Sequence, residues 1–149
     1  MAQYSLGRTF NTVPAADNKW INLQDAGSVA FLCYLTGAAG DTYTVTQAQD
    51  AAGTGAKALT KVGTYYTATG DGSDTWVART PTAQQQAAGT VVTAAQAAQN
   101  AAVFEVLGVQ LDEGFTHIRV ASTGAGTVNA LLGDLMSQRA PEKLAAVSA

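Results

Sequence analysis

Charged residues are scarce in this sequence. Lysine, arginine, aspartate and glutamate make up 13% of the 149 residues, against about 25% in a typical soluble domain. The formal net charge is −3, so the chain has no basic field that would attract phosphate groups. This charge balance argues against a nucleic acid as partner.

Cysteine and histidine each occur once. Cys33 alone cannot form an intrachain disulfide, and its place in the apolar stretch VAFLCYL predicts a buried thiol. His117 stands in FTHIRVAST, where we predict a partly exposed strand residue. A structural zinc ion takes about four nitrogen or sulfur ligands. One histidine and one buried thiol therefore predict no metal site.

Sequence signatures of catalysis are missing as well. The chain has no G-x-S-x-G motif. Its glycine-rich stretches, GTGA (53–56) and STGAG (122–126), do not lead into the Lys-Ser/Thr start of a phosphate-binding helix. Asp112 and Glu113 are adjacent in a predicted turn, so their side chains diverge. We therefore expect no enzymatic activity, no catalytic residues and no cofactor.

Long apolar runs are absent too. No stretch approaches the roughly 18 apolar residues that would span a bilayer. The start MAQYSLGRTF has neither the basic nor the apolar region of a secretory signal. We expect a protein that is made in the cytoplasm and does not enter a membrane.

What the sequence does contain is a series of short apolar stretches separated by glycine-rich turns. The stretch SVAFLCYL (28–35) is apolar on both faces, as is typical of a central strand. It is followed by TYTVT (42–46), whose alternation predicts that Tyr43 and Val45 point inward and the threonines outward. We predict that these two strands form a hairpin.

Further strands follow at the spacing of an antiparallel sandwich or barrel. The segment 127–139 is compatible with a strand or a helix. We predict a mainly β domain (19–139), an antiparallel β-sandwich or barrel-like fold, between an extended N-terminal arm (1–18) and a C-terminal tail (140–149). The further strands are expected at 59–67, 75–80, 90–96, 101–111 and 115–123.

The aromatic residues of these strands allow two interpretations. Aromatic side chains on amphipathic strands most often lie in the core. Exposed together, they could instead form a platform that stacks on a sugar ring. The residues concerned are Trp20, Trp76, Tyr65 and Tyr66.

The outward face of 42–46 is lined with threonine where a small protein normally carries charge. A surface of Thr, Gln, Ala and Gly is easily desolvated, because no ion has to lose its water. The centres of protein interfaces are likewise depleted in charge. We infer that neighbouring subunits cover much of this surface. Codon bias in a GC-rich genome, which enriches Ala and Gly, is an alternative that composition alone does not exclude.

Several stretches occur in an order that resembles a known family. They are YLTGAAGDTYTVTQAQDAAGTGAKAL, YYT followed by TWVART, VFEVLGVQLDEGFTHIRV and LLGDLMSQRAPEKL, and they span roughly residues 29 to 144. The order is similar to that of small virion structural proteins encoded by tailed phages of actinobacteria. One departure is Glu-Gly at 113–114 in place of an Asp/Ser-Asp-Gly turn, a change that a turn tolerates.

The resemblance implies a capsid decoration protein, also called a minor capsid or cement protein. Such a protein is a non-enzymatic part of the virion that binds the outside of the head. Its partners would be the major capsid protein and further copies of itself, as a dimer or trimer. A tail or neck component and a carbohydrate-binding β-sandwich module are the alternative functions.

The two terminal arms are the predicted points of contact with the capsid. They are too short to form a core, and apolar residues in such arms commonly dock on a partner. The predicted contact residues are Tyr4, Leu6, Arg8 and Phe10 in the N-terminal arm, and Arg139, Glu142 and Lys143 at the C-terminal end.

Overall fold

The computed structural model describes residues 10–13, 18–36, 40–69, 72–94, 99–124 and 126–135. Short strands connected by turns account for most of these residues. The structure also contains a six-residue helix, α1 (Ala83–Ala88), and a 3-10 helix (Gly108–Gln110). The strands are β1 (Phe10–Val13), β2 (Trp20–Asn22), β3 (Ala26–Thr36), β4 (Thr42–Ala48), β5 (Lys57–Ala58), β6 (Tyr65–Ala68), β7 (Val77–Arg79), β8 (Thr90–Val92), β9 (Gln99–Leu107), β10 (His117–Ser122) and β11 (Thr127–Leu135).

The strands are arranged in two antiparallel sheets. One sheet has six strands in the order β1-β11-β3-β9-β6-β7. The other has the order β2-β10-β4-β5, and β8 pairs with β4 as well. The two sheets pack against each other around one hydrophobic core. The predicted antiparallel β-sandwich is therefore confirmed.

The core follows from the alternation of side chains along each strand. From the six-stranded sheet, Phe31 and Cys33 point inward and are 0% exposed, which confirms the buried thiol. Phe31 stacks on its cross-strand partner Phe104, with 5.3 Å between the ring centroids. From the five-stranded sheet, Tyr43 and Val45 are also 0% exposed, as the alternation predicts.

The predicted hairpin between β3 and β4 is wrong. β3 lies between β11 and β9 in the six-stranded sheet, whereas β4 lies in the other sheet, beside β10. Both edges of β3 are occupied, by β11 and by β9, so β4 finds its partner β10 in the other sheet. The chain therefore crosses from one sheet to the other between them.

Several local predictions change in extent. The ambiguous segment 127–139 forms strand β11 from Thr127 to Leu135. The predicted strand 59–67 contributes only β6, because the chain before Tyr65 is irregular, although it buries Leu59 and Val62. The apolar pattern of 59–67 predicts that Leu59 and Val62 are buried, but it does not distinguish a strand from a buried irregular connection.

The segment PTAQQQAAG (81–89) contains helix α1. Its start is a capping box, in which Thr82 and Gln85 each accept a hydrogen bond from the backbone N–H of the other. Its end is Gly89, in the left-handed conformation with φ of 63°. A Cβ atom there would lie 2.6 Å from the carbonyl oxygen of Val45, so only glycine fits.

Residues 10–13, which the sequence assigned to the N-terminal arm, form strand β1. This strand pairs with β11 at the edge of the six-stranded sheet, with Phe10 opposite Gly133 and Val13 opposite Ala130. The sheet thus begins before the predicted start of the domain at residue 19. Residues 1–9 and 14–17 of the predicted arm, and the whole predicted tail (140–149), lie outside the described residues.

A buried carboxylate fixes the chain where it enters β4. Asp41 is 5% exposed. Its Oδ1 accepts hydrogen bonds from the backbone N–H groups of Thr42, Thr123 and Gly124 and from the Thr123 hydroxyl, at 2.7–3.2 Å. Its own N–H donates to the Thr93 hydroxyl at 2.7 Å. The Asp41 side chain thus ties the start of β4 to the β10–β11 turn, and the Asp41 backbone ties it to Thr93, just after β8.

We predict that Asp41→Ala lowers the free energy of unfolding by about 2–4 kcal/mol, because it removes the charged acceptor of four hydrogen bonds. Urea unfolding of the purified protein measures the change. Asp74→Ala is the matched control. The Asp74 carboxylate accepts hydrogen bonds only from Thr69, in an exposed loop, and its loss should cost under about 1 kcal/mol. Equal losses in the two variants would contradict this role of Asp41.

Candidate functional site

Within the described residues, no group of three or more His, Cys, Asp or Glu side chains is placed to hold a metal ion. In the same residues, no helix is long and apolar enough to cross a membrane.

The outward face of the five-stranded sheet is lined with threonine. Thr42, Thr44 and Thr46 alternate with the buried residues of β4 and are partly exposed. Thr90 of β8 stands opposite Thr44 and extends the row. We call these four residues the threonine face. The alternation that the sequence predicted for β4 is confirmed.

A single arginine stands at the border of the threonine face. Arg119 of β10 is flanked by Thr46 of β4 and Trp20 of β2. Its guanidinium carbon lies 4.4 Å from the centroid of the Trp20 ring, a cation–π contact. Gly53 closes in on the same indole, since a Cβ at this glycine would be 3.1 Å from Nε1. Trp20 is 7% exposed, so it is buried on the outward side of its sheet beneath these two residues and is not part of a sugar platform.

The outward face of the six-stranded sheet is more apolar. Leu32 and Val103 are paired across β3 and β9, and Tyr66 of β6 is the next neighbour of Val103. Leu32 and Val103 are partly exposed, and Tyr66 is 45% exposed. Glu105 is the charged residue on this face. A sheet face of this kind is typical of a surface that contacts something other than water.

One edge of that sheet exposes aromatic groups. Tyr66, Trp76 and Val77 are 45%, 46% and 45% exposed, and we call them the aromatic edge. They lie in or beside β6 and β7, and all three residues of β7 are exposed. The four aromatic residues therefore fall into two groups: Trp20 and Tyr65 are buried, Tyr65 as part of the core, while Tyr66 and Trp76 are exposed.

Charge is sparse on both outward faces. Where the described strands alternate regularly, the charged residues that point outward are Glu105 on one sheet and Arg119 on the other. The other charged residues in described strands lie at sheet edges or strand ends, and they are Lys57, Arg79 and Asp134. Two broad faces with one charge each resemble interface centres more than ordinary protein surface.

Asp112 makes a structural cluster beside the core. It accepts from Lys57 Nζ at 2.8 Å and from the side-chain amide of Gln47 at 3.0 Å, and Lys61 Nζ lies 3.8 Å away. The hydrogen bond from Lys57 holds the pKa of the Asp112 carboxyl below its ordinary value. Gln47 is 1% exposed, so this cluster satisfies a buried amide.

The prediction that His117 is partly exposed is wrong, because the residue is 7% exposed. The 49–56 turn reaches it through Thr116, whose hydroxyl donates to the Gln49 carbonyl at 2.7 Å. The hydroxyl hydrogen of Thr116 is therefore already used in the bond to Gln49. His117 Nδ1, 2.8 Å from the Thr116 oxygen, must be the donor in that pair. Burial lowers the pKa of the imidazole, and nearby Asp50 partly offsets the shift.

The contact residues predicted in the arms cannot be placed. Tyr4, Leu6 and Arg8 precede the described residues. Phe10 is placed as part of β1, but its side chain lies outside what is described. The C-terminal residues Arg139, Glu142 and Lys143 follow the described part, so the structure brings none of the predicted contacts together.

Sequence reasoning missed the pairing of Arg119 with Trp20. The signal that was available is the arginine in FTHIRVAST, alone in an otherwise uncharged strand. Its partner is far away in sequence, and only the order of strands in the sheet brings β2 beside β10.

No protein-family model, no curated protein and no solved structure matches the chain.

We predict that the free energy of unfolding falls as the pH drops from about 7 to about 5, because the unfolded chain takes up a proton that buried His117 resists. His117→Gln should remove this slope. The decline at still lower pH should remain, since protonation of Asp50 and Asp112, whose folded pKa values are lowered, is unaffected. Urea unfolding across this pH range measures both. An unchanged slope between pH 7 and pH 5 in the variant would contradict the assignment.

Proposed function

We propose that this protein is a non-enzymatic capsid decoration protein that binds the outside of a phage head and stabilises it. The observation that carries the proposal is the charge-poor outward surface of both sheets, with Glu105 and Arg119 as the charged residues of the regular strands. The ordered resemblance to virion structural proteins supports the choice of a capsid as the partner. Copies that bind only the assembled lattice stabilise it by mass action.

The energetics favour many modest contacts for each copy. Apolar and hydroxyl-bearing faces are covered without the desolvation penalty of ions, and neighbouring lattice sites raise the effective concentration of each contact. The chain has two such faces on opposite sides of one core. A single copy could therefore contact the lattice on one face and another copy on the other.

The proposal predicts that charge placed on an outward face abolishes particle binding without unfolding the domain. Leu32→Lys and Thr44→Lys each add one cation to one face. Both positions are partly exposed, so we expect thermal stability to change little while occupancy falls at least tenfold, because a buried unpaired charge is costly. Quantitative mass spectrometry of heads reconstituted with each variant measures the occupancy.

Thr60→Lys is the matched control, because Thr60 is exposed outside the strands. It should bind like the unmodified protein. Normal occupancy of both face variants would contradict the proposal. A copy number per particle in the hundreds supports a head protein, whereas a dozen or fewer would support the tail or neck alternative.

The aromatic edge favours glycan binding as a second candidate function. Tyr66 in β6 and Trp76 just before β7 are both exposed, and exposed aromatic rings can stack on sugars. Under the capsid proposal these rings pack on protein instead. We therefore predict no glycan binding by the purified protein on a glycan array.

Saturable glycan binding that is lost in Trp76→Ser and kept in Val109→Ser would contradict the capsid proposal in favour of the module. Val109 is the matched control, because it is 86% exposed but lies in the 3-10 helix, away from the aromatic edge.

A further inference from the structure

Arg119 is a cation without a hydrogen-bonding partner. The two ion pairs of the described residues both involve Asp112, so no described carboxylate lies within 4.0 Å of Arg119. Its Nε is buried and has no acceptor. The two Nη groups remain open to solvent, since they are neither hydrogen-bonded nor buried. The side chain is held against the Trp20 ring. No described residue accepts a hydrogen bond from any of its five N–H donors.

This conformation of Arg119 lowers the stability of the folded domain, and no contact among the described residues fully compensates for it. A guanidinium that loses water from Nε and gains no acceptor is destabilised. The cation–π contact with Trp20 offsets part of that loss, but it does not satisfy the donors. Because Trp20 is itself fixed beneath Gly53, the guanidinium is presented in one orientation before any ligand arrives.

The geometry points to a carboxylate as the ligand of the two open Nη groups, because an incoming group cannot reach the buried Nε. The planar fork of a guanidinium matches a carboxylate with two parallel hydrogen bonds. Arg119 is the cation on its face, and its strand neighbour Thr46 is neutral. A nucleic acid or another polyanion would require several cations along one surface. One isolated cation fits one negative charge.

We propose that Arg119 is the anchor for an aspartate or glutamate side chain of a protein partner that docks on the threonine face. This rests on the proposed function, under which the partner is the major capsid protein. Arginine and tryptophan are the residues most often found at energetic centres of interfaces. The neutral threonines around the ion pair would exclude water from it and strengthen the attraction.

Binding of a carboxylate is tested first on the isolated protein. N-acetyl-glutamate amide is titrated into ¹⁵N-labelled protein at constant ionic strength, and the Arg119 Nε–H resonance is followed by NMR. We expect a saturable shift that inorganic phosphate reproduces weakly or not at all. Arg79→Gln is the matched control and should keep the shift, because Arg79 is exposed on the other sheet and its Nε donates to Thr67.

A shift that is absent or not saturable would overturn the carboxylate site. So would a shift of another residue that persists in Arg119→Met. A stronger response to phosphate than to the carboxylate would also overturn it, in favour of a phosphate ligand.

Two variants then separate binding from structure. Arg119→Met keeps the aliphatic stem on Trp20 and removes the unsatisfied donors, so we expect a melting temperature that is unchanged or raised. Its affinity for heads should fall about tenfold or more. Arg119→Lys keeps the charge but loses the fork, and it should bind heads more weakly than the unmodified protein. A lower melting temperature of Arg119→Met with unchanged affinity would show a merely structural role.

The failure of this inference is distinguishable from failure of the proposed function. If the unmodified protein binds heads and Arg119→Met binds equally well, the anchor is wrong and the decoration function stands. If the unmodified protein does not bind heads but the glutamate probe binds at Arg119, the carboxylate site stands and its partner is another protein.

Discussion

The packing of two sheets around a single core is the constraint on which the rest of the structure depends. The strands that line the core turn alternate residues inward, and Phe31, Phe104, Tyr43 and Val45 meet there with essentially no exposure. The same alternation decides which residues point outward. The composition of the two surfaces is thus fixed by the strand pattern, and the scarcity of charge in the sequence appears on those surfaces directly.

The inward pattern could be predicted from sequence because it is local. Alternation in TYTVT placed Tyr43 and Val45 correctly, and the apolar run around Cys33 gave a central strand. The pairing of strands is not local. Whether β3 pairs with β4 or crosses the core to face it depends on which other strands are available, and β11 and β9 take both edges of β3. Short-range turn signals carry no information about that competition.

For the candidate site, too, the local features could be predicted from the sequence and the long-range contacts could not. The threonine face follows from the sequence, because alternation alone puts Thr42, Thr44 and Thr46 on one side. The contact of Arg119 with Trp20 does not, because it joins residues about a hundred positions apart through the order β2-β10-β4. Burial of His117 was missed for a related reason: the 49–56 turn, which covers it through Thr116, is distant in sequence.

The central claim is that the outward faces of the two sheets are contact surfaces within a larger assembly. A cryo-EM reconstruction of the purified phage particle tests it most directly. The account predicts ordered density for this chain on the outside of the head, with the threonine face or the face around Leu32 covered by a neighbouring subunit. A particle that lacks the chain, or one in which both faces are open to solvent, would contradict the account.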